Sequence, residues 1–194
     1  MTDLLGPDDG ATPLEPEELE DLIPSHITLR SELNEAEQAG ILEADDWAFR
    51  RSREVLQERF LTGLHKRMFG KVWRWAGSFR RTERNLGIEA YRIAVELRQL
   101  LEDVRYWMEH GTYSPDEIAL RFHHRLVAIH PFPNGNGRHA RLAADLLAVK
   151  QGQPRFTWGQ GNIGPVGDVR KAYIGALRAA DRHDMTLLLA FGRS

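Results

Sequence analysis

The chain contains no cysteine, which excludes disulfide bonds and thiolate metal sites and is typical of proteins from a reducing compartment. It also lacks any apolar run near the roughly 18 residues that a membrane-spanning helix needs. The first residues are acidic rather than basic and apolar, so they do not indicate a signal peptide. We therefore expect a soluble, cytoplasmic protein that has no membrane partner.

An excess of positive charge is absent as well. The net charge is −2 and the pI is about 6.5, a balance that disfavours direct nucleic-acid binding. What the chain does have is 194 residues, of which 42% are hydrophobic. This length and composition predict one compact domain with a sizeable core.

The N-terminal stretch is acidic and rich in proline. No lysine or arginine precedes Arg30, and four prolines fall within residues 1–24. Such a composition predicts a flexible acidic arm over residues 1–24. The alternative is an arm that docks on the domain or on a partner.

Apolar residues recur at three- and four-residue steps along most of the remaining chain, which predicts helices. A first helix is expected within residues 25–45, where Gly40 and Asp45 interrupt the pattern, and the main domain is expected over residues 46–194. Residues 78–88 break the helical rhythm, and Asn85 and Gly87 near a bend predict a small hairpin. The expected fold class is all-α: a single helical domain with a small β-hairpin.

The segment His130-Pro-Phe-Pro-Asn-Gly-Asn-Gly-Arg-His-Ala-Arg141 lies where one helical pattern ends and another begins. The turn around Asn136 allows backbone N–H groups to converge on an anion, and a helix opening at about Gly137 adds the positive end of its dipole. Arg138 and Arg141 are three residues apart, so both reach one side of that helix. His130 has an ordinary pKa of about 6.5 and exchanges protons near neutral pH. The segment therefore suits nucleotide chemistry.

Two other patterns have simpler interpretations. Gly159–Gly164 spells GxGxxG, but a dinucleotide fold needs a parallel βαβ unit, and strands do not alternate with helices here. The neighbours His123 and His124 would point about 100° apart on a helix, which disfavours binding of one metal ion by both. We expect one of them to be packed or hydrogen-bonded and the other exposed.

In order and spacing, residues 130–141 resemble the Fic/Doc family motif, His-x-Phe-x-(Asp/Glu)-Gly-Asn-Gly-Arg-x-x-Arg. Every specified position matches except the acidic one, which is Asn134. Residues 64–77 resemble the family's helix and Trp-Ala-Gly element, residues 78–88 lie where it has a β-hairpin flap, and residues 170–181 resemble its helix after the motif. The overall pattern is most similar to the small bacterial Fic proteins labelled mobile mystery protein B.

The resemblance implies a transferase that moves a phosphate-containing group, usually AMP from ATP, onto a hydroxyl of a target protein. His130 would accept the proton of the attacking Ser, Thr or Tyr hydroxyl. Asn136 and the N–H groups of the turn would hold the α- and β-phosphates, Arg138 would neutralise the leaving group, and Arg141 would bind the γ-phosphate. The implied nucleotide- and phosphate-binding residues are Asn134, Gly135, Asn136, Gly137, Arg138 and Arg141.

The departure at Asn134 affects the expected cofactor. Family members with Asp or Glu there hold Mg²⁺, which prefers charged oxygen ligands. With an amide at this position, Mg²⁺ or Mn²⁺ would be bound more weakly. The alternatives are a different donor, with transfer of another nucleotide, phosphate or phosphocholine, and a catalytically weak nucleotide-binding regulatory protein.

Many Fic proteins are restrained by a helix of pattern (Ser/Thr)-x-x-x-Glu-(Gly/Asn), whose Glu pairs with the second motif arginine. Ser31–Glu35 matches all but the last position, so Glu35 is the inhibitory candidate. Thr28–Glu32 fits the shorter core. Both also suit an ordinary helix start. The resemblance implies, as the alternative, restraint by a separate small inhibitor or helix-turn-helix partner, in the manner of a toxin–antitoxin pair.

Overall fold

The computed structural model describes residues 19–84, 86–160 and 166–194. Seven α-helices occupy most of these ranges, and no helix among them combines the length and apolar character that a membrane crossing requires. The predicted all-α fold is confirmed. The helices are α1 (Arg30–Phe49), α2 (Glu58–Phe69), α3 (Ile93–His110, after a 3₁₀ turn at Ala90–Arg92), α4 (Pro115–Ile129), α5 (Asn136–Lys150), α6 (Val166–Ala180) and α7 (Thr186–Arg193).

The centre of the domain is the pair α4 and α5. Helix α4 also packs against α3 and α7, α5 also packs against α1 and α2, and α6 packs on α7. Large side chains that are fully buried, among them Phe69, Trp73, Phe122 and Phe132, fill the space between these helices. The short connection between α4 and α5 therefore lies against the core, which limits its freedom to move.

Helix α1 is continuous through the point where a break was expected. Gly40 does not end the helix; a Cβ there would lie 2.3 Å from the carbonyl oxygen of Met68. The glycine is needed because the backbones of α1 and α2 approach closely at this position. The chain leaves the helix only after Phe49. The boundary expected between residues 45 and 46 thus falls inside α1.

The end of the predicted acidic arm is held on the domain. Leu22 pairs with Trp73 in an isolated antiparallel bridge. The N–H of Ile23 donates to the carbonyl of Val72 (2.8 Å), and the N–H of Arg74 donates to the carbonyl of Asp21 (3.0 Å). Residues 1–18 lie outside the described ranges.

The hairpin expected over residues 78–88 is not formed within the described part of that segment, which has no strand. Its predicted bend at Asn85 lies outside the described residues. The physical reason is that Arg80 takes the place of a partner strand: its guanidinium donates to the carbonyls of Thr82 (3.0 Å) and Ile88. The two carbonyls, which strand pairing in a hairpin could have satisfied, accept hydrogen bonds from this one side chain instead.

Candidate active site

The ends of α4 and α5 bring the residues of the motif together. Ser114 caps α4, accepting a hydrogen bond from the N–H of Glu117 (3.3 Å), and Pro115 occupies the first turn. The helix ends at His130, which has left-handed backbone angles (φ 54°, ψ 59°). Five residues later Gly135, also left-handed (φ 78°), forms the N-cap of α5. This reversal places a histidine and a helix N-terminus on the same short loop.

His130 is buried, with 8% of its surface exposed. The pKa of its imidazole is lowered from the ordinary 6.5 to about 4, mainly by burial and in addition by the positive charges of Arg80 and Arg84, while a hydrogen bond with the backbone of Val127 opposes the shift. The sequence alone suggested an imidazole that titrates near neutrality. In the folded protein the depressed pKa keeps the imidazole neutral at pH 7.

The loop is pinned to the core through Phe132, which is fully buried and stacks on the ring of His65 at 3.7 Å between centroids. The side chain of Asn136 holds the same residue from both sides: its Oδ1 accepts from the N–H of Phe132 (2.9 Å) and its Nδ2 donates to the carbonyl (2.8 Å). The role of Asn136 in holding the α- and β-phosphates stays a prediction. Both ends of this amide are occupied in shaping the loop.

His65 was not identified as a site residue from the sequence. Its Nδ1 accepts from the N–H of Gly77 (3.0 Å), which requires the proton on Nε2, and Nε2 donates to the carbonyl of Asn134 (3.0 Å). Burial holds the pKa of His65 well below its usual range. The only available signal was its phase: it shares the buried face of α2 with Leu61, Leu64 and Met68.

The N-terminus of α5 is suited to bind an anion. Its first turn contains no acidic residue, and the N–H groups at the start of a helix have no partner within the helix. Gly137 and Arg138 are partly exposed there. The dipole and these donors favour negative charge at this end of the loop.

Arg138 and Arg141 both lie on the first turns of α5, as expected, but they have different surroundings. Arg138 forms an ion pair with Glu37 (2.8 Å), lies 4.9 Å from the centroid of the Phe69 ring, and keeps 38% of its side chain exposed. Arg141 stacks over the ring of Tyr173 (4.7 Å). Among the described residues its Nε is buried without a hydrogen-bond partner.

Glu37, rather than the expected Glu35, is the acid of α1 that reaches the motif. It is buried, and besides Arg138 it accepts a hydrogen bond from Trp73 Nε1 (2.7 Å). The reason is the phase of the helix: the buried residues Leu33, Glu37, Gly40, Ala44 and Ala48 follow steps of three and four. Glu35 is on the opposite, exposed face. It forms no ion pair within the described part of the chain.

Glu32 and the neighbouring serine also have simpler roles. The carboxylate of Glu32 accepts hydrogen bonds from the N–H groups of Thr28 (3.0 Å) and Leu29 (3.1 Å). It therefore caps the start of α1, where Leu29 is the N-cap residue. Ser31 is exposed. In this structure Glu32 therefore serves the start of the helix, and inhibition through Glu35 stays a prediction.

The residues at the loop offer little to a metal ion. The Oδ1 of Asn134 accepts from the N–H of Gly135, and within the described ranges no group of three or more His, Asp or Glu side chains is placed to hold a metal. One neutral amide oxygen does not fit the preference of Mg²⁺ for charged ligands. A divalent ion would fit here only when it arrives with phosphate oxygens.

The other histidines of α4 lie outside the loop. His123 is buried and its Nε2 pairs with the hydroxyl of Tyr173 (3.0 Å), while His124 faces Asp181 at 2.8 Å and is partly exposed. His123 is packed, as expected of one of the two, whereas His124 is hydrogen-bonded and only partly exposed instead of exposed. The GxGxxG stretch falls largely on residues 161–165, outside the described residues.

Comparison with known proteins identifies this arrangement. Residues 55–148 match the model of the Fic/DOC family. The protein adenylyltransferase Fic of Drosophila grimshawi is 34% identical over 95 residues, which is 47% of this chain and 20% of that protein. The protein adenylyltransferase fic-1 of Caenorhabditis elegans is 31% identical over 126 residues, 63% of this chain and 23% of that protein. The chain spans less than a quarter of the length of these relatives.

Solved structures agree with the fold. The BepC protein of Bartonella tribocorum with bound AMPPNP matches with a TM-score of 0.66 at 20% identity, over 91% of this chain and 96% of that one. The N-terminal Fic domain of an effector protein from Bartonella sp. AR 15-3 matches with a TM-score of 0.69 at 15% identity, over 92% and 91% of the two chains. The described helices therefore have the Fic fold.

Proposed function

This chain belongs to the Fic/DOC family through residues 55–148, and on that premise we propose that it transfers a nucleotide-derived phosphate group, AMP from ATP in the first instance, to a Ser, Thr or Tyr hydroxyl of a target protein. One observation carries the proposal. A neutral, buried His130 and the N-terminus of α5 with Arg138 and Arg141 meet on a single loop. The residue that would accept the proton and the groups that would bind the phosphates therefore lie close enough to act in the same reaction.

His130 is the proton acceptor in this mechanism. The target hydroxyl oxygen forms a bond to the α-phosphorus, the bond from that phosphorus to the bridging oxygen breaks, and pyrophosphate leaves. The hydroxyl proton passes to the imidazole, which is unprotonated at pH 7. A bound triphosphate adds negative charge nearby and raises the pKa of His130 from about 4 towards the range in which a general base is effective.

The N-terminus of α5 and its arginines serve the phosphates. The partly exposed guanidinium of Arg138 stabilises charge that develops on the leaving group. Arg141, held against Tyr173 with an unpartnered Nε, binds the terminal phosphate. Within the described residues Arg141 forms no ion pair with an acid, so its charge stays available for the nucleotide.

In this proposal Mg²⁺ or Mn²⁺ would bind together with the triphosphate. Bound there, it would neutralise charge on the phosphate oxygens, and Asn134 Oδ1 would supply one neutral ligand. The chain's own residues then position the nucleotide without a carboxylate at the motif. The relative with bound AMPPNP shows that a domain of this fold accommodates an ATP analogue.

A second candidate function is supported by two observations. Asn134 replaces the acidic motif residue, and Glu37 neutralises part of the charge of Arg138. A neutral ligand at residue 134 weakens metal-assisted catalysis, and a guanidinium shared with Glu37 stabilises the leaving group less, so both observations favour a nucleotide-binding regulatory protein with little transferase activity. A Fic enzyme with another donor is the remaining variant.

Labelling with a panel of donors separates these functions. The full chain and its His130→Ala variant would be incubated with each α-labelled nucleoside triphosphate, with Mg²⁺ or Mn²⁺, and with a bacterial lysate. We expect labelled protein with ATP for the unchanged chain and none for the variant. Tight nucleotide binding without labelling from any donor, in the presence of either metal, would establish the regulatory function instead.

A further inference from the structure

Arg80 is a charged side chain that is buried beside the loop between α4 and α5. It belongs to residues 78–84, which precede α3 in the chain. It is 3% exposed, whereas the adjacent Arg81 is exposed. The guanidinium of Arg80 donates to backbone carbonyls on two sides: to His130 through Nε (2.7 Å) and Ile129 through Nη2 (3.5 Å), and to Thr82 and Ile88 of its own segment. A rigid, planar group with five donors is suited to such multiple contacts.

The backbone of Arg80 adds to the same attachment. Its N–H donates to the carbonyl of Pro131 (2.9 Å). Three consecutive carbonyls, those of Ile129, His130 and Pro131, are therefore bound by this one residue. They are the carbonyls around the left-handed angles of His130, a conformation that a residue with a side chain keeps only when its surroundings enforce it.

We infer that Arg80 is the positioning residue of the proton acceptor: it fixes the backbone on both sides of His130 and so sets where the imidazole lies. This inference rests on the proposed function for its catalytic consequence, but not for its structural one. Nothing in the sequence distinguishes Arg80 from Arg81, and the motif does not include either.

Gly87 lies very close to both His130 and Arg80. A Cβ at this position would lie 2.6 Å from the Cβ of His130 and 2.8 Å from Nη2 of Arg80. The segment that Arg80 ties down through Ile88 therefore touches the histidine directly. A displacement of Arg80 would therefore release the backbone around His130. It would also release the residues around Gly87 that pack on the His130 side chain.

The charge of Arg80 acts on the same imidazole. The charged groups that lower the pKa of His130 are Arg80 and Arg84, after burial itself. The acid nearest to Arg80 is Glu83, 3.9 Å away and with 65% of its side chain exposed. Removal of the Arg80 charge should consequently raise the pKa of His130, which a purely structural role in folding would not require.

The test compares Arg80→Gln, Arg80→Lys and the matched control Arg81→Gln in the full chain, with the His130 pKa measured by NMR titration. In Arg80→Gln we expect that pKa to rise towards its ordinary value and the transfer rate to fall about tenfold or more, with ADP affinity unchanged within about twofold. Arg80→Lys should keep the low pKa but still lose rate, because one ammonium cannot reach all the carbonyls. Arg81→Gln should change neither quantity.

An unchanged His130 pKa together with an unchanged rate in Arg80→Gln would overturn the inference. If Arg80→Gln does not fold, Gly87→Ala takes its place: it leaves the charge intact and should lower the rate by pushing on His130, and a full rate would count against the inference. If the unchanged chain transfers nothing, the proposed function fails. The pKa measurements still decide the role of Arg80 in that case.

Discussion

The two ends of the loop between α4 and α5 differ in charge and exposure. At the α4 end His130 is buried and its charged neighbours, Arg80 and Arg84, are both basic. At the α5 end Arg138 is partly exposed and is paired with the acid Glu37. Burial among cations keeps an imidazole neutral, whereas an acid beside a guanidinium fixes the orientation of the guanidinium. One end is thus suited to accept a proton and the other to bind phosphate.

If the two ends act separately, substitution of His130 should have the largest effect and act on the rate alone. We expect His130→Ala to lower the transfer rate by about 10²–10⁴-fold, since a general base contributes on that order. ADP affinity, measured by titration calorimetry, should stay within about twofold because the phosphates bind at the other end. His110→Ala, at the exposed end of α3, is the control. An equal loss of ADP affinity and transfer rate would mean that His130 also binds phosphate, so the two ends would not act separately.

Substitution of Arg138 should act on both quantities. A charge-assisted hydrogen bond contributes about 1.5–3 kcal/mol, so Arg138→Ala should weaken ATP binding by roughly tenfold to a hundredfold and also slow transfer. The measurement is ATP affinity and steady-state rate, with the exposed Arg98→Ala as a control of equal charge change. Unaltered affinity with a lost rate would contradict the assignment of Arg138 to the phosphates.

Glu37 and Glu35, two acids of α1, test the contacts at the α5 end of the loop. Glu37→Ala removes a buried carboxylate and leaves Trp73 Nε1 without its acceptor, so we expect a loss of about 2 kcal/mol in the free energy of unfolding. Glu35→Ala, on the exposed face, should change that free energy by less than about 0.5 kcal/mol. Urea denaturation of both variants measures the difference. Equal effects would mean that the phase of α1 differs from the structure.

Substitutions at the same two positions test whether the transfer activity is restrained within the chain. If restraint acts within the chain, Glu37→Gln should raise automodification by a few-fold, because a charge that competes with the triphosphate for Arg138 is removed. Glu35→Gln serves as the matched control and should have no effect. Equal automodification in both variants, with silencing by a separate protein, would place the restraint in a partner.

The smallest effect is expected at Asn134. Asn134→Asp restores a charged oxygen and should lower the Mg²⁺ concentration for half-maximal activity by about threefold to tenfold. Asn34→Asp, exposed on α1, controls for the added charge. If the metal requirement is the same in both variants, the ion does not contact residue 134.

The helices and the motif were accessible from the sequence because they depend on local patterns. The steps of three and four predicted helices along most of the chain, and the motif turn predicted a helix opening at about Gly137, one residue from the observed start of α5 at Asn136. The contacts that orient the site depend on residues far apart in the chain. Arg80 reaches His130 across fifty positions, and Glu37 reaches Arg138 across more. For the same reason local signals could not show that Arg80 would bind carbonyls of residues 78–88, whose described part contains no strand.

The titration of His130 tests the central difference between the two ends most directly. The imidazole signals of the unchanged chain would be followed by NMR from pH 7.5 to 3.5, without nucleotide and with saturating ADP. A depressed pKa means that the neutral form persists as the pH falls, so we expect protonation only near pH 4 in the free protein and at a higher pH with ADP bound. A free-protein pKa near 6.5, unchanged by ADP, would contradict the account.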